Sequence, residues 1–130
     1  MLLRLGEAGA VCLLVSAQVV AEIERVLRRK APPLLGIVAV LLDRAGIEVV
    51  AGPGEERLRG CQQLVGHLGD ATVLAAAWDA GADYFVTLDQ KHFLGNRKLQ
   101  TRAPFPVGTP GDCLAWVRDG LVQPGPYLSK

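Results

Sequence analysis

The chain has 130 residues, half of them apolar, with 14 Lys+Arg against 13 Asp+Glu. Such a length is one domain's worth of chain, and so large an apolar share supports a core, which excludes intrinsic disorder. Near-zero net charge excludes a polybasic or polyacidic tail but hides a pattern: residues 1–42, 43–90 and 91–130 sum to +2, −5 and +4. An acidic centre lies between basic flanks. Cys12, Cys61 and Cys113 are too far apart for a disulfide framework or a zinc site. The apolar stretches are too short to span a bilayer, and Arg4 and Glu7 interrupt the start where a signal peptide needs an apolar run. The expectation is a cytoplasmic protein with no membrane partner.

Leu2, Leu3 and Leu5 before Gly6 fit a short helix, either its end or its start. Val11–Val15 is an apolar run followed by Ser16, the form of a buried strand entering a capped helix. From Ala17 to Lys30, Val19, Val20, Ile23, Val26 and Leu27 recur at helical spacing. Pro32 and Pro33 stop that helix and open another, which runs to about Arg44 and ends at Gly46. Ile47–Val50 reads as a short strand, Gly52-Pro53-Gly54 as a turn, and Glu55–Val65 as a weak helix. Asp70 is expected to cap a helix over Ala71–Ala80, closed by Gly81. Tyr84–Thr87 is rich in β-formers, and Asp89 follows just beyond it. Pro104 and Pro106 make the next stretch irregular, and Thr109-Pro110 opens a last helix. Strands alternating with helices imply an α/β three-layer sandwich around a mostly parallel sheet. Residues 1–122 read as one domain and 123–130 as a C-terminal tail.

Several chemistries are excluded. Gly52-Pro53-Gly54 lacks the third glycine of a dinucleotide fingerprint, and no phosphate loop is present. Ser16 and Ser129 are the only serines, and neither sits in a nucleophile elbow. His67 and His92 are far apart in sequence and read as ordinary surface or core histidines. The carboxylates say more. Asp89 follows the end of a buried strand, the edge where open α/β sheets place their sites. Asp70 starts the helix that leads into that strand. An antiparallel helix–strand pair returns the two ends to one edge, so both carboxylates are expected there. Glu22 and Glu24 flank the apolar stripe of their helix on opposite sides, and periodicity does not choose between them.

Ser16-Ala17-Gln18-Val19-Val20-Ala21-Glu22-Ile23 resembles the S-x-x-V-x-x-E-I helix start of PIN-domain proteins. Gly69-Asp70-Ala71-Thr72-Val73-Leu74-Ala75-Ala76-Ala77 resembles their central aspartate helix, and Gly81-Ala82-Asp83-Tyr84-Phe85-Val86-Thr87-Leu88-Asp89 their G-A-D-Y-x-V-T-x-D strand. Thr109-Pro110-Gly111-Asp112-Cys113-Leu114 is similar to the closing T-P-x-x-F-L helix. The resemblance runs through nearly the whole chain, and the block from Gly69 to Asp89 is its most specific part. It is closest to the bacterial and archaeal members described as toxins of toxin–antitoxin pairs.

The resemblance implies a Mg²⁺- or Mn²⁺-dependent endoribonuclease. Glu22, Asp70 and Asp89 would be three of the family's four acidic residues, serving as catalytic groups and metal ligands, with Thr87 supporting them. It also moves Glu22 ahead of Glu24 and gives Asp83 a structural place. The family's D-T-N strand, with its first aspartate, has no counterpart in the sequence, and Lys91 and His92 stand where many members carry another carboxylate. Without that strand, the Val11–Val15 and Tyr84–Thr87 runs are expected to pair directly or to be completed by a twofold dimer. Lys91, Arg97, Lys98 and Arg102 form a basic loop expected to hold RNA phosphates, and Arg25, Arg28, Arg29 and Lys30 a second basic group. Expected partners are RNA, an antitoxin protein and a second copy of the chain. A catalytically inactive PIN fold serving binding or oligomerisation is the alternative.

Overall fold

Short parallel strands joined by helices make up the computed structural model, which describes residues 2–122, without the side chains of residues 121 and 122. The expected tail, 123–130, lies outside the described residues. The protein is mixed α/β, and its internal contacts divide between Ala82 and Asp83 into two compact units. No helix among the described residues is long and apolar enough to cross a membrane.

The first unit comprises α1 (Leu2–Glu7), β1 (Leu14–Ser16), α2 (Ala17–Lys30), α3 (Leu34–Arg44), β2 (Glu48–Val50), α4 (Glu55–Leu64) and α5 (Leu68–Asp79). β1 and β2 pair in parallel, with Leu14 opposite Glu48 and Ser16 opposite Val50. Parallel neighbours need a long crossover, and α2 with α3 supplies it. β1 is shorter than the apolar run that announces it. The N–H groups of Ala10 and Val11 are taken by the Leu5 carbonyl at 2.9 and 3.4 Å, so the start of the run closes α1 instead of joining the ladder. Gly46 (φ 64°) and Gly81 (φ 73°) take the left-handed conformation that ends α3 and α5. Beside them, Ile47 N–H reaches the Leu42 carbonyl and Ala82 N–H that of Ala77, both at 3.1 Å.

The core of this unit is built on α5. Ala71, Leu74, Ala75 and Ala76 are buried, and α5 packs against α4, where Cys61 and Leu64 are buried with Val65 just beyond. The alanines let the backbones approach closely while Leu74 supplies the bulk. Asp79 fastens α5 to the start of α4, accepting from Gly54 N–H and Arg57 Nε at 3.0 Å each, with the Arg57 guanidinium 4.9 Å from the Trp78 ring centroid. α2 and α3 are far less covered. Neither buries a residue completely, and on α3 Leu34, Ile37, Val40 and Leu41 keep 44–56% of their surface exposed.

The second unit holds β3 (Phe85–Val86), a single π-helical turn (Gln90–Leu94), α6 (Arg97–Arg102), β4 (Val107–Gly108) and α7 (Pro110–Val122). β3 and β4 are parallel, Phe85 opposite Val107 and Val86 opposite Gly108. Phe85 lies 5.1 Å from Phe93 and 6.0 Å from Phe105 by ring centroids, and all three are buried. α7 opens with a reciprocal cap: Thr109 N–H donates to Asp112 Oδ2 at 3.0 Å and Asp112 N–H to Thr109 Oγ1 at 3.1 Å.

One expectation is corrected here. The stretch between Asp89 and Pro106 is not an irregular loop but a π turn and a helix, because both prolines fall after α6. Pro106 precedes β4, where its missing N–H costs no ladder bond, while its carbonyl accepts from Phe85 N–H at 2.9 Å. β1 takes β2 as its partner, and β3 takes β4.

Candidate functional site

Ser16 ends β1 and begins α2 at once, its Oγ accepting from Val19 N–H at 3.2 Å. That cap fixes the rotation of α2, and Gln18 and Glu22, four residues apart, share one face of it. Gln18 Nε2 lies 3.3 Å from Glu22 Oε1 and 3.4 Å from the Gly69 carbonyl oxygen, so one amide joins Glu22 to the start of α5. Gly69 leaves little room above it. A Cβ on it would stand 3.2 Å from the His67 ring and 3.5 Å from the Gln18 amide.

Asp70 follows directly, but not as the cap expected from the sequence. Ala71 N–H bonds the His67 carbonyl at 2.9 Å, so α5 begins at Leu68 with His67 in the capping position. Asp70 is the third residue of the helix, in the first turn, where a negative charge gains from the helix dipole. Its Oδ2 is 3.7 Å from His67 Nδ1, a charge pair only when that imidazole is protonated. Glu22 and Asp70, named separately in the sequence, are thus linked within the first unit through Gln18 and Gly69.

In the second unit Asp89 stands three residues beyond β3. Its N–H donates to Thr87 Oγ1 at 3.1 Å. The carboxylate caps the π turn: Oδ1 accepts from His92 N–H at 3.0 Å, and Oδ2 is 2.9 Å from His92 Nδ1. The His92 backbone N–H, and then its imidazole, hold the Asp89 carboxyl below its ordinary pKa of 3.8. Asp83 is exposed at a bend ahead of β3 and stands apart from these contacts.

The basic residues are placed by the same turn and helix. Lys91 is exposed on the π turn; Arg97 and Lys98 open α6 and Arg102 ends it, all exposed. Asn96 caps α6, its Oδ1 accepting from Leu99 N–H at 3.0 Å, and fully buried Leu99 anchors the helix. Arg28, Arg29 and Lys30 lie in the last turn of α2, where they complement the dipole of their own helix.

His92 is the residue that sequence reading passed over as ordinary. The signal was its i, i+3 spacing from Asp89 just after a strand, which one tight turn converts into contact. The donor chemistry suits a hard cation: Glu22, Asp70 and Asp89 offer carboxylate oxygens, and a thiol is part of neither cluster. Cys61 and Cys113 are buried elsewhere, and Cys12 Sγ lies 3.1 Å from Glu48 Oε2. No family model, curated protein or solved structure matches the chain.

Asp89 shares its low pKa with Asp79, held down by Gly54 N–H and then Arg57, and with Asp112, held down by the Thr109 N–H and then its hydroxyl. A carboxylate whose pKa is lowered by folding contributes stability above its unfolded value and loses it as pH falls through the folded one. Stability is therefore expected to hold steady above the ordinary value of 3.8 and to fall progressively below it. Urea midpoints between pH 6 and pH 2 check this, and Asp79→Asn should flatten the acid limb while lowering the neutral plateau.

Proposed function

We propose that the protein is a Mg²⁺- or Mn²⁺-dependent ribonuclease of the PIN kind, a three-layer α/β sandwich in which Glu22, Asp70 and Asp89 hold the cation. The observation that carries this reading is the Gln18 amide joining Glu22 to the Gly69 carbonyl beside Asp70. An amide that reaches from Glu22 on α2 to the backbone beside Asp70 on α5 orders the Gln18 and Glu22 side chains, at an entropic cost. The arrangement of Thr87, Asp89 and His92 at the carboxyl end of β3 supports it further, because parallel strands place sites at that end.

When bound, the cation would neutralise the acidic residues and supply Lewis acidity toward an RNA phosphodiester. Gln18 steadies Glu22, and the first turn of α5 places Asp70. Thr87 fixes the backbone of Asp89. Lys91, Arg97, Lys98 and Arg102 bind the phosphates on either side of the scissile bond. In this reading the protein acts in the cytoplasm and is held in check by an antitoxin protein.

The exposed carboxylates of α2 provide the test. Glu22→Gln is expected to lower RNA cleavage by about 10–100-fold or more, the range reached even by residues that only support a metal ligand. Glu24→Gln, on the other flank of the same helix, should leave it unchanged. Equal effects of the two would remove Glu22 from the site. The basic residues should contribute affinity without chemistry. Neutralising Arg97 and Lys98 together is expected to reduce the salt slope for single-stranded RNA by about 1.4 at most, roughly 0.7 for each phosphate no longer neutralised. Binding titrations across a series of salt concentrations measure it.

The apolar face of α3 favours a second reading, an oligomerisation module without catalysis. Leu34, Ile37, Val40 and Leu41 recur on one side of the helix and are exposed together. A homodimer built on that face is expected to dissociate on Ile37→Glu, as sedimentation over a concentration series would show. The dimer is compatible with either reading, whereas wild-type protein that dimerises but never cleaves RNA would favour the second.

A further inference from the structure

We infer that His92 is the positioning residue for Asp89, holding that carboxylate in the single orientation in which it meets a divalent cation. The inference deepens the proposed function and rests on it for the role of Asp89. Its basis is that one residue engages both carboxylate oxygens: the His92 backbone N–H donates to Oδ1 at 3.0 Å while the imidazole Nδ1 stands 2.9 Å from Oδ2. A backbone bond alone would cap the turn. The second contact adds nothing to the cap and fixes rotation about the last side-chain bond of Asp89.

The imidazole is itself held by the turn that carries it. His92 precedes Phe93, whose ring is buried against Phe85 of β3, and the His92 carbonyl accepts from Asn96 Nδ2 at 3.1 Å. The carboxyl-terminal half of the π turn is thereby tied down, and π geometry is frequent at functional sites. Both side chains keep a little over a third of their surface exposed, so the lone pairs of the carboxylate remain accessible to a cation. A carboxylate with two oxygens prepositioned loses less conformational entropy on ligation than a free one. Outer partners of this kind change metal affinity by about 10–100-fold when removed.

The test is Mn²⁺ affinity of the full chain, measured from the free-ion electron paramagnetic resonance signal, with urea midpoints taken in parallel. His92→Ala is expected to weaken Mn²⁺ binding about 10–100-fold. His92→Leu, which keeps the bulk but not the donor, should do the same and serves if the smaller side chain impairs folding. His92→Asn, whose amide N–H replaces the Nδ1 donor, should restore most of the affinity. A purely structural histidine would move the urea midpoint in all three and show no rescue of metal affinity by asparagine. Unchanged Mn²⁺ affinity in both His92→Ala and His92→Leu overturns the inference and leaves the proposed function standing. Nitrogen couplings from a directly bound imidazole in the wild-type Mn²⁺ spectrum also overturn it, since His92 would then be a ligand. No Mn²⁺ binding by the wild type, or affinity unaffected by Asp89→Asn, overturns the reading itself and the inference with it.

Discussion

Asp70→Asn is expected to abolish the Mn²⁺ response of the protein while leaving it folded. The substitution preserves shape, and the third position of α5 tolerates an amide at a cost of about 0.3–1 kcal/mol in lost dipole interaction. What it removes is charge. A neutral amide is a poor ligand for a hard cation, and losing a direct ligand should exceed the roughly 10–100-fold that supporting partners carry. Titrating Mn²⁺ against the isotope-labelled protein should broaden amide signals around the first turn of α5 in the wild type and not in the variant. Broadening that persists undiminished would take Asp70 out of the site.

The largest stability effect is expected at Leu74. It is completely buried on α5, the best-covered helix of its unit. Leu74→Ala should cost about 2–5 kcal/mol from lost transfer energy and residual cavity. A domain is stable by only about 5–15 kcal/mol, so the variant would be marginal at physiological temperature. Urea unfolding of wild type and variant at neutral pH measures the difference, and a loss under about 1 kcal/mol would mean that α5 is not the centre of its unit. Loss of α5 packing would also release Gly69 from Gln18, so Mn²⁺ affinity should fall with stability in this variant and not in Glu24→Gln.

Much of this was written locally in the sequence. Ser16 followed by a 3.6-residue apolar period defined α2 from Ala17 to Lys30, because a cap and a helical stripe act within one segment. Gly46 and Gly81 marked the ends of α3 and α5 for the same local reason. The start of α5 was misread because aspartate is a strong capping residue, while His67, with no side-chain cap bond, carries no such signal. β4 was invisible: two residues beside two prolines have no periodicity, and the ladder depends on Phe85, 22 residues away. α6 is six residues long, too short for a stripe, and it is held by Asn96 and buried Leu99.

The site divides along the same line. Asp70 and Asp89 stood out from their places at element ends, Thr87 only through the resemblance, and periodicity could not separate Glu22 from Glu24. The link through Gln18 depends on α2 meeting α5, which is a tertiary fact. His92 was missed because a contact three residues away requires a tight turn, and nothing in Gln90-Lys91-His92 announces a π turn.

The most direct test of the ribonuclease assignment is cleavage of a single-stranded RNA by the purified wild-type chain, first in EDTA, then with Mn²⁺ restored, beside Asp70→Asn. The expected result is no cleavage in EDTA, its return with Mn²⁺, and none at either stage from Asp70→Asn. Cleavage that continues in EDTA, or that Asp70→Asn performs as well as the wild type, would contradict a metal-dependent site at Asp70. So would a wild-type chain that leaves the RNA intact with Mn²⁺ present.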